Sequence, residues 1–370
     1  MTRSVLFVFG TRPEAIKMAP VIERVRDHDG LRAVVAVTAQ HREMLDQVLE
    51  LFGIVPDFDL DLMRDRQLPE EVLARAVTAL SALIRDTQPD IVLVQGDTTT
   101  TLAGALAGFY AHVPVGHLEA GLRTGNLASP FPEEANRRLV SQLAALSFAP
   151  TRHAADRLLA EGADPASVIV TGNTVVDAVT EVATRAATLP PELAALVSGE
   201  RRLAVVTLHR RESWGEPLEQ ACLGVRDVLD AVSDLVVVLP VHRNPVVSEV
   251  VERVLGDHER AVLTDPLGYL EFVQLLKACT IVLSDSGGLQ EEAAALGKPL
   301  LLLRETTERP EGAEAGTLKL VGTDRSAIAR ETQALLSDAD AYRAMSEAPN
   351  PFGDGRASER IVAAIEEFLA

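Results

Sequence analysis

The chain has 370 residues, 47% of them apolar and 24% charged, and its 35 lysines and arginines against 54 aspartates and glutamates leave a formal net charge of −19. At about 150 residues per domain this predicts two domains, each able to bury its own core, and excludes a disordered, collagen-like or low-complexity chain. The acidic balance argues against a nucleic acid or an anionic membrane as partner, and no apolar stretch approaches the roughly 20 residues that a membrane helix needs.

Residues 5–9 form a short β-rich run ending at Gly10, followed over 14–25 by apolar residues at helical spacing, which predicts strand, glycine turn and helix. That run is too short for a signal peptide, so a soluble cytoplasmic protein is expected. Similar strands are predicted at 34–37, 91–94, 113–115 and 168–170, with a helix over 70–85 between two of them. Continuous rather than alternating apolar strands imply a parallel sheet covered on both faces. The polar stretch 187–202, with Pro190-Pro191, reads as a linker. Beyond it the alternation restarts at 203–208, 235–239, 261–263, 281–283 and 300–303. The fold class expected is therefore α/β, with two Rossmann-like doubly wound domains; the mid-chain break disfavours one closed TIM barrel. Boundaries are placed at 1–187 and 188–354, with a last helix over 355–370. Cys222 and Cys279 are too few for a disulfide framework or zinc ribbon and read as small buried residues in a reducing compartment.

In open α/β sheets ligands bind at the C-terminal ends of the strands, so polar residues there carry the functional reading. After the first strand, Gly10-Thr11-Arg12-Pro13-Glu14-Ala15-Ile16-Lys17 outlines an anion site, with two cations beside a helix N-terminus; alone it reads equally as a turn with solvated cations. Gln95-Gly96-Asp97-Thr98 places a carboxylate and a capping threonine after the strand 91–94. Glu119 and Glu133 stand fourteen positions apart across a loop rich in glycine and proline, where two acids can serve as acid and base; Glu133 and Glu134 equally suit the first turn of a helix. In the second half, Asp285-Ser286-Gly287-Gly288 opens a helix and suggests a phosphate cradle, with His209, Arg210, Arg211, His242, Arg243, Arg304 and Arg309 as cations nearby. Neither a dinucleotide fingerprint nor a P-loop is present, and no zinc motif is complete, so no metal or cofactor is expected.

Taken together, GTRPEAIKMAP at 10–20, TAQHREMLDQV at 38–48, QGDTTTT at 95–101, GHLEAGLRTGN at 116–126, PFPEEANR at 130–137, TGNTVVDA at 171–178, HRRES at 209–213, DSGGLQEEA at 285–293 and TTERPEG at 306–312 make the chain resemble the non-hydrolysing UDP-N-acetylglucosamine 2-epimerase family of bacteria. The resemblance implies a glycosyltransferase-B arrangement with an interdomain cleft, a homodimer, and reversible conversion of UDP-N-acetylglucosamine to UDP-N-acetylmannosamine through elimination of UDP to 2-acetamidoglucal and re-addition. Carried over motif by motif, it implies Asp97, Glu119 and Glu133 as acid/base carboxylates, His209 and Arg12 at the diphosphate, and Lys17 in support. Ser286, Gly287, Gly288 and Glu292 would hold phosphate and ribose, His242, Phe272 and Arg309 would contact the substrate, and Gln40, His41 and Arg66 would form a second, activating site. A glycosyltransferase of the same fold, which requires an acceptor, and a nucleotide-sugar-binding regulator, which needs no acid/base carboxylates, are the competing readings.

Overall fold

The structure, a computed structural model, describes residues 2–38, 42–62, 64 and 67–370, and of residues 42 and 43 the backbone alone. Contacts divide the chain into two compact units, Met1–Ala178 with Phe352–Ala370, and Val179–Pro351. The first carries strands β1 (Arg3–Phe9), β2 (Leu31–Val37), β3 (Phe58–Asp59), β4 (Ile91–Gln95), β5 (Val115–Leu118), β6 (Leu146–Ala149) and β7 (Val168–Val170). Between them run helices α1 (Arg12–Arg26), α2 (Arg42–Leu51), α3 (Pro69–Thr87), α4 (Thr99–Tyr110), α5 (Glu133–Leu143) and α6 (Arg152–Ala160), and α7 (Thr174–Val182) follows β7. All neighbouring strands are parallel, in the order β3-β2-β1-β4-β5-β6-β7.

The second unit begins with α8 (Pro191–Val197) and alternates β8 (Arg202–Thr207), α9 (Glu216–Ala231), β9 (Leu235–Pro240), α10 (Pro245–Leu255), β10 (Ala261–Thr264), α11 (Tyr269–Ala278), β11 (Ile281–Ser284), α12 (Leu289–Ala295), β12 (Leu300–Leu302), α13 (Pro310–Ala315), β13 (Leu318–Leu320), α14 (Arg325–Ser337) and α15 (Ala339–Ser346). Its parallel sheet runs β10-β9-β8-β11-β12-β13. Numbered from its own first strand, each sheet has the order 3-2-1-4-5-6 of a Rossmann fold, with the reversal of direction beside its first strand and one further strand in the first unit. The apolar runs behave as covered strands: every residue of Val5–Phe9 is 0% exposed. Leu6 and Val8 join Leu80, Ile84 and Leu102 of α3 and α4 on one face.

Several elements differ from the sequence expectation. The strand expected at 113–115 lies at Val115–Leu118 and includes Gly116 and His117. Strands β3, β6 and β13 are two, four and three residues long and are interrupted by polar residues, so they offer too little apolar periodicity to be read. The stretch read as a linker holds α8, whose Leu193 is buried in the core of the second unit with Leu203 and Val236. Among the described residues no helix is long and apolar enough to cross a membrane. Cys222 and Cys279 are free and buried, and burial pushes both thiols up to about 12.

The last helix, α16 (Ala357–Leu369), belongs to the first unit and packs on α1. Its N-cap residue supplies no cap, because the Arg356 side chain accepts no bond from a first-turn N–H. Asp177 of α7 supplies the cap: its carboxylate accepts from the Ala357 N–H at 3.1 Å and from the Ser358 N–H and hydroxyl at 2.8 and 2.7 Å. Removing it leaves two buried N–H groups and a buried hydroxyl without this acceptor. Asp177→Ala is expected to cost about 1–3 kcal/mol in urea unfolding and to raise amide exchange at Ala357 and Ser358; unchanged exchange there would show that the cap contributes nothing.

Candidate active site

Three strand ends converge in the first unit. At the end of β1, a Cβ on Gly10 would stand 2.1 Å from Thr38 Oγ1, so only glycine lets the chain pass. Glu14, in the first turn of α1, is 1% exposed. Its Oε2 accepts from the N–H groups of Gly10 and Thr11 at 3.1 and 2.8 Å, while Oε1 accepts from the Thr98 hydroxyl at 2.7 Å. Burial raises its pKa, and these hydrogen bonds oppose the shift. The carboxylate therefore ties the turn after β1 to the cap of α4. Arg12 stands half-buried in the same helical turn, on the side of the helix dipole that favours anions.

At the end of β4, Gly96 takes a left-handed conformation with φ +72°. The next residue, Asp97, is ion-paired with the buried Arg137 of α5, which also donates to Glu134 at 3.2 Å. Asn136 Nδ2 donates to the Asp97 carbonyl at 2.9 Å. Glu134, fully buried, accepts from the Thr124 and Gly125 N–H groups at 2.9 and 3.2 Å and pins the loop that precedes α5. Its burial alone would raise its pKa, but those N–H groups and Arg137 hold it below the ordinary value. Glu133 begins α5 and is half-buried.

Glu119 follows β5 with φ +61°, a region that costs a residue with a side chain about 1–3 kcal/mol. Its Oε1 accepts from Lys17 Nζ at 2.5 Å and Asn173 Nδ2 at 3.0 Å, and its Oε2 from Gln95 Nε2 at 2.5 Å. The Lys17 and Glu119 side chains are only 9% and 7% exposed. Two residues earlier, His117 is fully buried with Nε2 2.7 Å from the Gly96 carbonyl oxygen, an acceptor that requires the proton on Nε2.

The second unit gathers its own cluster. Asp285, after β11, accepts from the N–H groups of His209 and Arg210 at 2.9 and 2.8 Å, and its other oxygen lies 2.9 Å from His209 Nδ1. Burial pushes the Asp285 carboxyl up, but these bonds and the imidazole outweigh it and hold the pKa low. The pairing orients the imidazole with Nε2 facing away from Asp285. His242 stacks on His209 with centroids 6.3 Å apart, and burial, then the neighbouring imidazole, lower its pKa. A Cβ on Gly287 would come within 2.9 Å of Arg210 Nη2 and 3.3 Å of Arg309 Nη1, so two guanidinium groups crowd this backbone.

Not every N–H of the expected cradle is open, since Ser286 N–H donates to Ser284 Oγ at 2.9 Å. Gly288 caps α12, whose Glu291 is buried against Arg309 Nε at 2.7 Å and whose Glu292 accepts from the Tyr269 hydroxyl at 3.0 Å. Phe272 packs, partly buried, on the core of its own unit. Gln40, His41 and Arg66 lie outside the described residues. Among the described residues no group of three His, Cys, Asp or Glu is arranged for a metal. Sequence reasoning gave no role to Glu14, Gln95, Arg137, Asn173, Tyr269 or Asp285. Gln95 was detectable as the polar end of an apolar strand; Arg137 and Asn173 meet their partners across 40 and 54 positions, beyond any local pattern.

Two parallel Rossmann-like sheets, each with charged groups at its strand ends, make an α/β fold of the glycosyltransferase-B type. A glycotransferase of kitacinnamycin is similar in fold alone, with a TM-score of 0.67 at 13% identity over the whole of both chains. The model of the family UDP-N-acetylglucosamine 2-epimerase matches residues 23–366. The UDP-N-acetylglucosamine 2-epimerase of Bacillus subtilis is 51% identical, covering 99% of this chain and 94% of the relative, and that of Escherichia coli K12 is 50% identical, covering 98% of each. The co-structure of S. aureus MnaA with UDP superposes with a TM-score of 0.93 at 47% identity over 100% of this chain and 97% of that one. UDP-GlcNAc 2-epimerase from Neisseria meningitidis, bound to UDP-GlcNAc, gives 0.91 at 44% identity over 98% and 100%. The chain belongs to the UDP-N-acetylglucosamine 2-epimerase family, a family of isomerases.

Burial lowers the His117 pKa from 6.5 to about 4, helped by the charges of Arg123 and Arg137. The unfolded chain binds this proton below about pH 6.5 while the fold refuses it until about pH 4, so the stabilisation is present above pH 6.5 and is lost as pH falls between those values. The difference amounts to about 3 kcal/mol. In His117→Gln, which keeps a donor for Gly96, the urea-unfolding free energy should fall less between pH 6.5 and 4; curves parallel to the parent's would remove His117 as the cause.

Proposed function

We propose that this chain interconverts UDP-N-acetylglucosamine and UDP-N-acetylmannosamine without hydrolysis, by eliminating UDP across C1–C2 and adding it back. The observation that carries the reading is the Glu119 carboxylate, ion-paired to Lys17 and held by two amides at a strand end of a chain half identical to named epimerases over its full length. The C2 proton has no adjacent carbonyl to acidify it, so the step needs a positioned base and a stabilised leaving group. A carboxylate takes the proton from C2, the C–H pair becomes the C1=C2 bond of 2-acetamidoglucal, and UDP departs with the C1–O pair. In the return step a carboxylic acid delivers a proton to the opposite face of C2 as a phosphate oxygen of UDP bonds to C1.

Asp97, Glu119 and Glu133 are the acid/base carboxylates of this scheme. Arg12 and His209 stabilise the diphosphate charge, with Asp285 holding the imidazole. Ser286, Gly287, Gly288 and Glu292 bind phosphate and ribose, with His242, Phe272 and Arg309 as further substrate contacts, and Gln40, His41 and Arg66 form an activating site. The chain acts as a homodimer in this reading, consistent with the exposed Phe109–Tyr110 pair at the end of α4 and the exposed Leu139 on α5.

Incubation with UDP-N-acetylglucosamine in D₂O, with no acceptor, should yield UDP-N-acetylmannosamine carrying deuterium at C2 by proton NMR; an unchanged spectrum with intact UDP binding would overturn the epimerase reading in favour of a transferase. Glu119→Gln should lower turnover by at least about 10²-fold. Arg12→Ala should weaken UDP binding by about 1–3 kcal/mol in calorimetry, and unaltered affinity would take Arg12 out of the diphosphate site.

A further inference from the structure

We infer that Gln95 and Asn173 are positioning residues that hold the Glu119 carboxylate in its working orientation, an inference that rests on the acid/base role proposed for Glu119. Glu119 sits on left-handed backbone with φ +61°, so its side chain leaves the strand end from a conformation the chain itself does not favour. That backbone is fixed on both flanks: the Leu118 carbonyl accepts from Gly96 N–H and the Ala120 N–H donates to the Phe148 carbonyl, both at 3.0 Å. The carboxylate is fixed separately. Lys17 and Asn173 reach Oε1 and Gln95 reaches Oε2, from α1, the turn between β7 and α7, and the end of β4.

The two amides are 3% and 2% exposed, so water does not compete for them. The orientation of Asn173 is dictated by its neighbours. Its Oδ1 accepts from the Val175 N–H at 3.2 Å, which leaves Nδ2 as the group that faces Glu119. Its own N–H donates to the Phe352 carbonyl at 2.7 Å, anchoring the residue to the returning C-terminal segment. An amide donor fits this place better than a second cation. It fixes a carboxylate oxygen without adding a charge that would compete with Lys17 for it.

Asn173 also starts α7 through its Oδ1, and a residue serving only as a helix cap would tolerate aspartate, which keeps that oxygen. A residue positioning Glu119 would not, because aspartate replaces the donor with a like charge beside the carboxylate. The order of the variants therefore distinguishes the roles. With UDP-N-acetylglucosamine as substrate, Asn173→Ala should lower kcat about 10-fold and Asn173→Asp at least about 100-fold, each with KM within about threefold and UDP affinity unchanged. Gln95→Glu should likewise fall below Gln95→Leu, which keeps the proposal testable if an Asn173 variant does not fold. Asn173→Asp and Gln95→Glu turning over like the active parent would overturn the positioning roles alone. A parent inactive on this substrate would overturn the acid/base reading of Glu119 and this inference with it.

Discussion

A carboxylate taken out of water must find its donors within the protein, and this requirement organises the strand ends of both units. In a chain of net charge −19, acidic side chains are plentiful, yet only a few are buried at chain turns. Glu14 joins the turns after β1 and β4, Glu134 pins the loop before α5, Asp177 caps α16, and Asp285 gathers the backbone of His209 and Arg210. Glu14, Asp177 and Asp285 join segments distant in sequence and Glu134 closes the loop before its own helix, all through N–H or hydroxyl donors. The geometry of the polar loops is thereby fixed by charge solvation more than by apolar contact, which is confined to the sheets and helix faces beneath them.

Glu119 differs from these four in a way that suits chemistry. A lysine and two amide side chains hold its oxygens, and its backbone is in a costly conformation. Groups that staple a fold use backbone donors, which cannot move without moving the chain. A group that exchanges a proton needs partners that hold direction but tolerate a change of charge, and side-chain amides do so. His209 repeats the pattern in the second unit, where the rigid Asp285 holds one nitrogen and leaves the other directed elsewhere.

Much of this was legible in the sequence for a simple reason: long apolar strands followed by glycine and a helical period announce β1–α1, β4–α4 and β8 directly. The glycine and carboxylate motifs at strand ends marked where polar groups gather. The polar interruptions that hid β6 and β13, Ser147 and Lys319, are ordinary in short strands held by neighbours on both sides or at an edge. Pairings such as Arg137 with Asp97, or Asn173 with Glu119, are products of topology, since only the sheet order brings those strand ends side by side. The same holds for Glu134, which reads locally as a helix-dipole residue and is in fact the anchor of a loop.

The first unit is assembled from two stretches of chain separated by the entire second unit, and its closing piece is the one that contacts Asn173 and receives the Asp177 cap. On the ribosome, where chains emerge N-terminus first, the sheet of this unit is available long before Phe352 and α16 arrive to complete it. During that interval the face of α1 that α16 covers is open, and Asn173 lacks the carbonyl that orients it. Synthesis of that segment thus finishes both the hydrophobic closure of the unit and the alignment of its strand-end polar cluster, so the surroundings of Glu119 are completed only after the whole second unit has been made.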